Sequence, residues 1–221
     1  MNKRLAKHIL DSITGYRSRD FIFYKHPLGD VVSGFAVDVV PSGFQVFKYT
    51  LPLYIKMNNF NLNYSVPICD DAGFFYNSRD VEHFFPGIVS KYGDEMFGLR
   101  KAESFLSHVK DLLNKQLLMD AGDEYKDLRS VDLRYCYAQT LVMLNKKKSA
   151  LGELDLVLHT LNCHFFGGDR VTVIDLSGCN LASHDIEFIS DVIEVRNMLI
   201  DGSAKDFLLN RRMHNIAKFE L

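Results

Sequence analysis

Proline is confined to one part of this chain: Pro27, Pro41, Pro52, Pro67 and Pro86 are all five, and none occurs from residue 87 to residue 221. Proline has no amide hydrogen to donate and breaks the interior of a regular helix, so a long tract without it is free to be helical. Most of the Phe and Tyr residues lie ahead of the same boundary. Residues 1–86 therefore read as an antiparallel sheet half with an N-terminal helix, and residues 87–221 as a helix-rich half with one short strand near 171–176. Because the later helices are amphipathic and the strands have an apolar face to hide, one continuous core with a change of layer near residue 86 is expected.

The detailed pattern supports an α+β fold in which an N-terminal helix and a four-stranded antiparallel meander pack against the helix-rich half. Leu5, Ile9, Leu10 and Ile13 cluster on one side of a helix over 3–14, which Gly15 ends. Pro27-Leu28-Gly29-Asp30 and Pro41-Ser42-Gly43 are turn signatures. Between them, Val31 to Val40 alternates as a strand, flanked by aromatic and β-branched runs from Asp20 to His26 and from Phe44 to Lys56. Leu62, Tyr64, Val66 and Ile68 alternate as a fourth strand.

Beyond the sheet, Ser78 can cap a helix that Pro86-Gly87 stops or bends. Residues 100–118 carry the strongest helical signal, with Ala102, Phe105, Leu106, Val109, Leu112, Leu113, Gln116 and Leu117 at steps of three and four. Ser130 can cap a helix to Leu144, and a partner runs from Ser149 to about Asn162 after the polar turn Asn145-Lys146-Lys147-Lys148. Ser183 can cap another helix, and Ser203-Ala204-Lys205-Asp206 reads as a capping box opening the last one.

Composition narrows the functional classes. A net charge of −2 gives no overall field that favours phosphate backbones, so nucleic acid is not the expected partner. The basic start lacks the apolar run of a signal peptide, and no apolar stretch approaches a membrane span, so a cytoplasmic location without a membrane is expected. Cys69, Cys136, Cys163 and Cys179 form no C-x-x-C pair and read as reduced core thiols. There is no phosphate-cradling glycine motif and no G-x-S-x-G, so no catalytic residue and no cofactor is assigned.

Other residue groups can be weighed individually. His159, Cys163 and His164 have helical metal-ligand spacing, with Asp169 the nearest further donor, but a helix end with Cys163 packed inward explains them, and no metal is assigned. Asp120, Asp123, Glu124 and Asp127 read as solvated acids. The costly segment is Ala72-Gly73-Phe74-Phe75-Tyr76 beside Asp70-Asp71, because adjacent aromatics with an acidic border suit a protein interface. Asp70, Asp71, Phe74, Phe75 and Tyr76 are the expected partner contact; buried, they would join the two halves.

Three resemblances accompany these readings. Tyr137-Ala138, Leu141 and Leu144 followed by Ala150-Leu151, Leu154 and Leu158 resemble one helical hairpin of the tetratricopeptide type over about 131–161, without a second copy. Val173-Ile174-Asp175-Leu176-Ser177-Gly178, with Gly152 to Leu156 upstream, resembles strands of anti-sigma-antagonist (STAS-type) domains, although Ser183 follows Ala182 where the family has aspartate. In element order, residues 1–160 resemble bacterial α+β proteins of the immunity type found in polymorphic toxin systems. That last resemblance implies a non-enzymatic protein that binds another protein, a cognate toxin, and neutralises it. The alternatives are an enzyme with an unrecognised site between sheet and helices, and a STAS-like regulatory module around Val171 to Ser183; oligomeric state is not legible.

Overall fold

The computed structural model describes residues 3–13, 15–25, 28–40, 43–57, 62–68, 81–120, 128–167 and 181–220. The fold is α+β, with an N-terminal antiparallel sheet and a helical C-terminal half. The chain divides into two compact units, one of residues 1–53, 59–105 and 216–221, the other of residues 54–58 and 106–215.

In the first unit, helix α1 (Lys3–Ser12) leads into strands β1 (Tyr16–Arg19), β2 (Ile22–Lys25), β3 (Val31–Val40), β4 (Gly43–Pro52) and β5 (Val66–Pro67), followed by α2 (Val81–Gly98). The sheet is an antiparallel meander in the order β1-β2-β3-β4-β5, five-stranded where four strands were expected. The additional strand, Tyr16-Arg17-Ser18-Arg19, has no alternation of apolar residues to announce it; it pairs with β2 through a tight turn in which Asp20 takes a φ of 54°. The expected fourth strand is pared down to Val66–Pro67, opposite Phe47 and Lys48. Pro86 does not interrupt α2, which runs through it with Pro86 and Gly87 on the exposed side.

One face of the sheet makes an aromatic core. Phe35 stacks on Phe23 at 4.8 Å between ring centres and on Phe85 at 5.3 Å, while Ile9 of α1, Ile13 just after it and Ile88 of α2 close the cluster. Aromatic pairs at such separations add about 0.5–1.5 kcal/mol beyond area burial. The opposite face is also buried: Val32, Ala36, Tyr49 and Leu51 are inaccessible, and the Tyr24 hydroxyl donates to the Phe219 carbonyl at 2.8 Å.

Two glycines in this unit are required by close approach. A Cβ on Gly34 would lie 1.9 Å from the Phe23 carbonyl oxygen, and one on Gly29 would lie 2.2 Å from that of Arg100. The Arg100 carbonyl in turn accepts from the amides of Asp30 (2.9 Å) and Val31 (3.2 Å). The Asp30 carboxylate accepts from the Ala102 amide at 3.3 Å, supplying the side-chain cap of helix α3 (Ala102–Asp120) from the far end of a hairpin.

The second unit contains α4 (Leu128–Met143), α5 (Lys147–Phe166), α6 (Ser183–Asp201) and most of α7 (Ala204–Glu220), with the part of α3 after Phe105. Helices α4 and α5 form the expected hairpin, with Ala138 and Ala150 both fully buried, and α5 packs against α4 and α6. The strand expected to run to Lys56 ends at Pro52; Tyr54, Ile55 and Met57 are buried in the second unit instead. There the Tyr54 and Thr140 hydroxyls meet at 2.8 Å and the Asn215 side-chain amide donates to the Ile55 carbonyl at 2.9 Å.

Two of the expected serine caps are corrected. Ser130 is a buried third residue of α4 rather than its cap. Ser183 is the exposed first residue of α6, after Ala182 at the cap position. Ser203 stands directly before α7 as expected, its carbonyl accepting from the Phe207 amide at 3.1 Å, while its hydroxyl donates back to the Asp201 carboxylate at 2.6 Å. Serine satisfies whichever neighbour lies nearest, and a carboxylate two residues upstream is the stronger acceptor. Ser78, Cys69, Cys179 and the segment 171–176 lie outside the described residues.

Substituting Gly34→Ala is expected to destabilise the protein by about 3 kcal/mol, because backbone rather than a flexible side chain must move. Gly87→Ala, in open space on an exposed helix, is expected to stabilise by about 0.5–1 kcal/mol. Chemical denaturation of the two variants checks both signs.

Candidate functional site

The expected contact residues Asp70, Asp71, Phe74, Phe75 and Tyr76 lie outside the described residues, as do Asp123, Glu124, Asp127, Asp169 and the segment 173–178. Gly152 to Leu156, which a STAS-like arrangement needs as a strand, is part of helix α5. The sites that can be built are all in the helical unit.

The most concentrated polar chemistry is a buried cluster on three helices. Asp191 of α6 is 5% exposed. Its carboxylate accepts from both terminal nitrogens of Arg211 on α7, at 2.6 and 3.3 Å, and from the Tyr135 hydroxyl on α4 at 2.8 Å. Arg211 stacks over Phe207, and Phe188 meets Tyr135 edge to face. Burial, together with the charge of Asp191, pushes the Tyr135 hydroxyl well above the ordinary tyrosine range. With three donors on one carboxylate and a phenol held in its protonated form, the arrangement locks helices together.

Two further arginine–carboxylate pairs tie successive helices, Arg134 to Glu153 at 2.7 Å and Arg196 to Asp155 at 2.6 Å. Both are more exposed than the Asp191 pair, so each contributes less.

The outward face of α5 is different in kind. Leu156, His159, Cys163 and Phe166 recur at helical spacing along it and all are exposed, Leu156 by 41% and Phe166 by 38%. Gly152 continues the line, with open space where a side chain would stand. Cys163 thus faces outward rather than packing inward as expected, with its sulfur 3.8 Å from Nε2 of His159. His164 turns its ring to Phe165, and among the described residues no three metal-ligating side chains come together. At the end of α3, Leu118 and Met119 are more exposed still, but as consecutive residues they fan around the helix and make no stripe.

No protein-family model, curated protein or solved structure matches this chain. None of the described helices is long and apolar enough to cross a membrane.

Asp191→Asn is expected to cost about 3–5 kcal/mol by leaving Arg211 buried without its counter-charge, whereas Asp191→Leu with Arg211→Met recovers most of that loss; a double-mutant cycle in urea measures both. Tyr135 also sets an alkaline limit. The unfolded chain releases this proton near pH 10 while the folded state retains it, so stability falls as pH rises beyond that value. Tyr135→Phe should make this fall shallower between pH 9 and pH 11, the raised Tyr16, Tyr24 and Tyr49 hydroxyls retaining the rest of it, read as unfolding free energy against pH.

Proposed function

We propose that this chain is a non-enzymatic protein-binding protein, and that its partner is a toxin whose active or docking surface it covers. The observation that carries the reading is the outward face of α5, where Leu156 and Phe166 bracket His159 and Cys163 on one line. Aligned apolar side chains left in water cost solubility, and with about two-fifths of each still exposed they gain roughly 0.6–1.2 kcal/mol apiece when a partner buries them. A helix fixed against α4 and α6 presents such anchors already ordered, which lowers the entropic cost of association. The toxin as partner rests on the resemblance to immunity-type proteins.

The test is a calorimetric titration with the protein encoded by the adjacent gene, alongside a growth assay in cells expressing that protein. Wild type is expected to form a tight complex and restore growth. Leu156→Asp with Phe166→Asp is expected to weaken binding at least tenfold, about 1.4 kcal/mol, with an unchanged melting temperature. A complex that survives both changes would remove α5 as the contact, and alanine at Phe74, Phe75 and Tyr76 then tests the acidic-aromatic segment. No complex and no protection would overturn the toxin reading.

A further inference from the structure

At the turn ends of the helical unit, the α4–α5 turn and the α6–α7 turn enclose a recess of about 130 Å³. Val142, Leu199 and Ala204 form its floor, and each is at least 95% buried. Lys147, Lys205 and the Asn145 side chain stand around it. The two lysines cross between the turns: Lys147 Nζ donates to the Ile200 carbonyl at 3.1 Å, and Lys205 Nζ donates to Asn145 Oδ1 at 3.2 Å. Both acceptors are neutral. Among the described residues neither ammonium lies within salt-bridge distance of a carboxylate. Asp201 in the α6–α7 turn accepts from the Ser203 amide at 2.9 Å and hydroxyl at 2.6 Å, which favour its charged form, and Lys147 adds to this from beyond salt-bridge distance.

An apolar floor under two cations that form no salt bridge among the described residues, although Lys147 acts on the Asp201 charge from a greater distance, is complementary to a molecule with an apolar body and one negative end. We propose that this recess binds a small amphiphilic carboxylate, its hydrocarbon part on Val142, Leu199 and Ala204 and its carboxylate between Lys147 and Lys205. The volume sets the size, since a cavity of about 150 Å³ holds a benzene ring, so the apolar body has about five or six carbons. The lysines belong to the first turns of α5 and α7, while α4 and α6 end at the same turns, so the positive field of the recess comes from the two ammonium groups rather than from helix dipoles. Each ammonium has further hydrogens to offer beyond the one its present acceptor takes.

Titrating the full chain with hexanoate, followed by amide chemical shifts, tests the site, with hexanol and inorganic phosphate as the two half-ligands. Hexanoate is expected to bind saturably and to shift the signals of Val142, Leu199 and Ala204. Hexanol and phosphate should each bind at least fivefold more weakly. Lys147→Gln with Lys205→Gln should weaken hexanoate at least fivefold without lowering the melting temperature, and arginine at both positions should restore it. Equal binding of hexanol would reduce the recess to an apolar dent, and equal binding of phosphate to a patch of charge; either result, or unsaturable shifts, overturns the proposal. The α5 face takes no part in these titrations, so they are independent of the toxin reading.

Discussion

Everything in the helical unit is arranged around the need of one buried carboxylate for donors. Removing Asp191 from water costs several kcal/mol, and that cost is offset only if hydrogen-bond donors meet both of its oxygens. They come from α4 and α7, as the Tyr135 hydroxyl and the Arg211 guanidinium. Three helices must therefore hold one relative placement for the charge to be tolerated. A purely apolar seam would pack in several rotations at similar energy, whereas the planar fork of Arg211 against one carboxylate accepts very few. The outer pairs, Arg134 with Glu153 and Arg196 with Asp155, follow the same helices at higher exposure and reinforce a placement already made.

The sheet unit is constrained by space instead of charge. Gly34 lets β2 approach β3 until the Phe23 carbonyl occupies the volume of a side chain, and this closeness accompanies the stacking of Phe23 on Phe35. Gly29 does the same for the Arg100 carbonyl, which then serves the amides of Asp30 and Val31. Asp30 completes the exchange by capping α3. A short turn thereby fixes both the start of a strand and the start of a helix distant in sequence.

How much of this was legible follows from the range of each signal. Periodicity is local, so β3, β4 and α3 were readable within the runs Val31 to Val40, Phe44 to Lys56 and 100–118, although the second ran past the end of its strand. Strand β1 was not, because Tyr16-Arg17-Ser18-Arg19 owes its pairing to β2 and carries no pattern of its own. Pro86 misled because the loss of one amide donor was weighed as a break, while α2 has packed residues on both sides of it, Phe85 and Ile88, to hold it together. Ser203 does precede α7, whereas Ser130 and Ser183 are not caps because α4 begins at Leu128 and α6 at Ser183 itself. Least legible was the Tyr135, Asp191 and Arg211 cluster. Its members are far apart in the chain, each is ordinary in its own helix, and only the packing of α4, α6 and α7 brings them together.

The same packing explains why the candidate surface falls on α5. A helix lying against two others has two faces committed, here by Ala150, Leu154, Val157, Leu158 and Leu161. The third face is set by the geometry and must meet solvent. Ordinary selection for solubility would place charged side chains along it. Leu156 and Phe166 occupy it instead, on the line of Gly152, His159 and Cys163. Neither residue is needed by the core, because the buried positions of α5 are already filled by others. Their cost is borne in the isolated molecule, and it is offset when a complementary surface removes them from water.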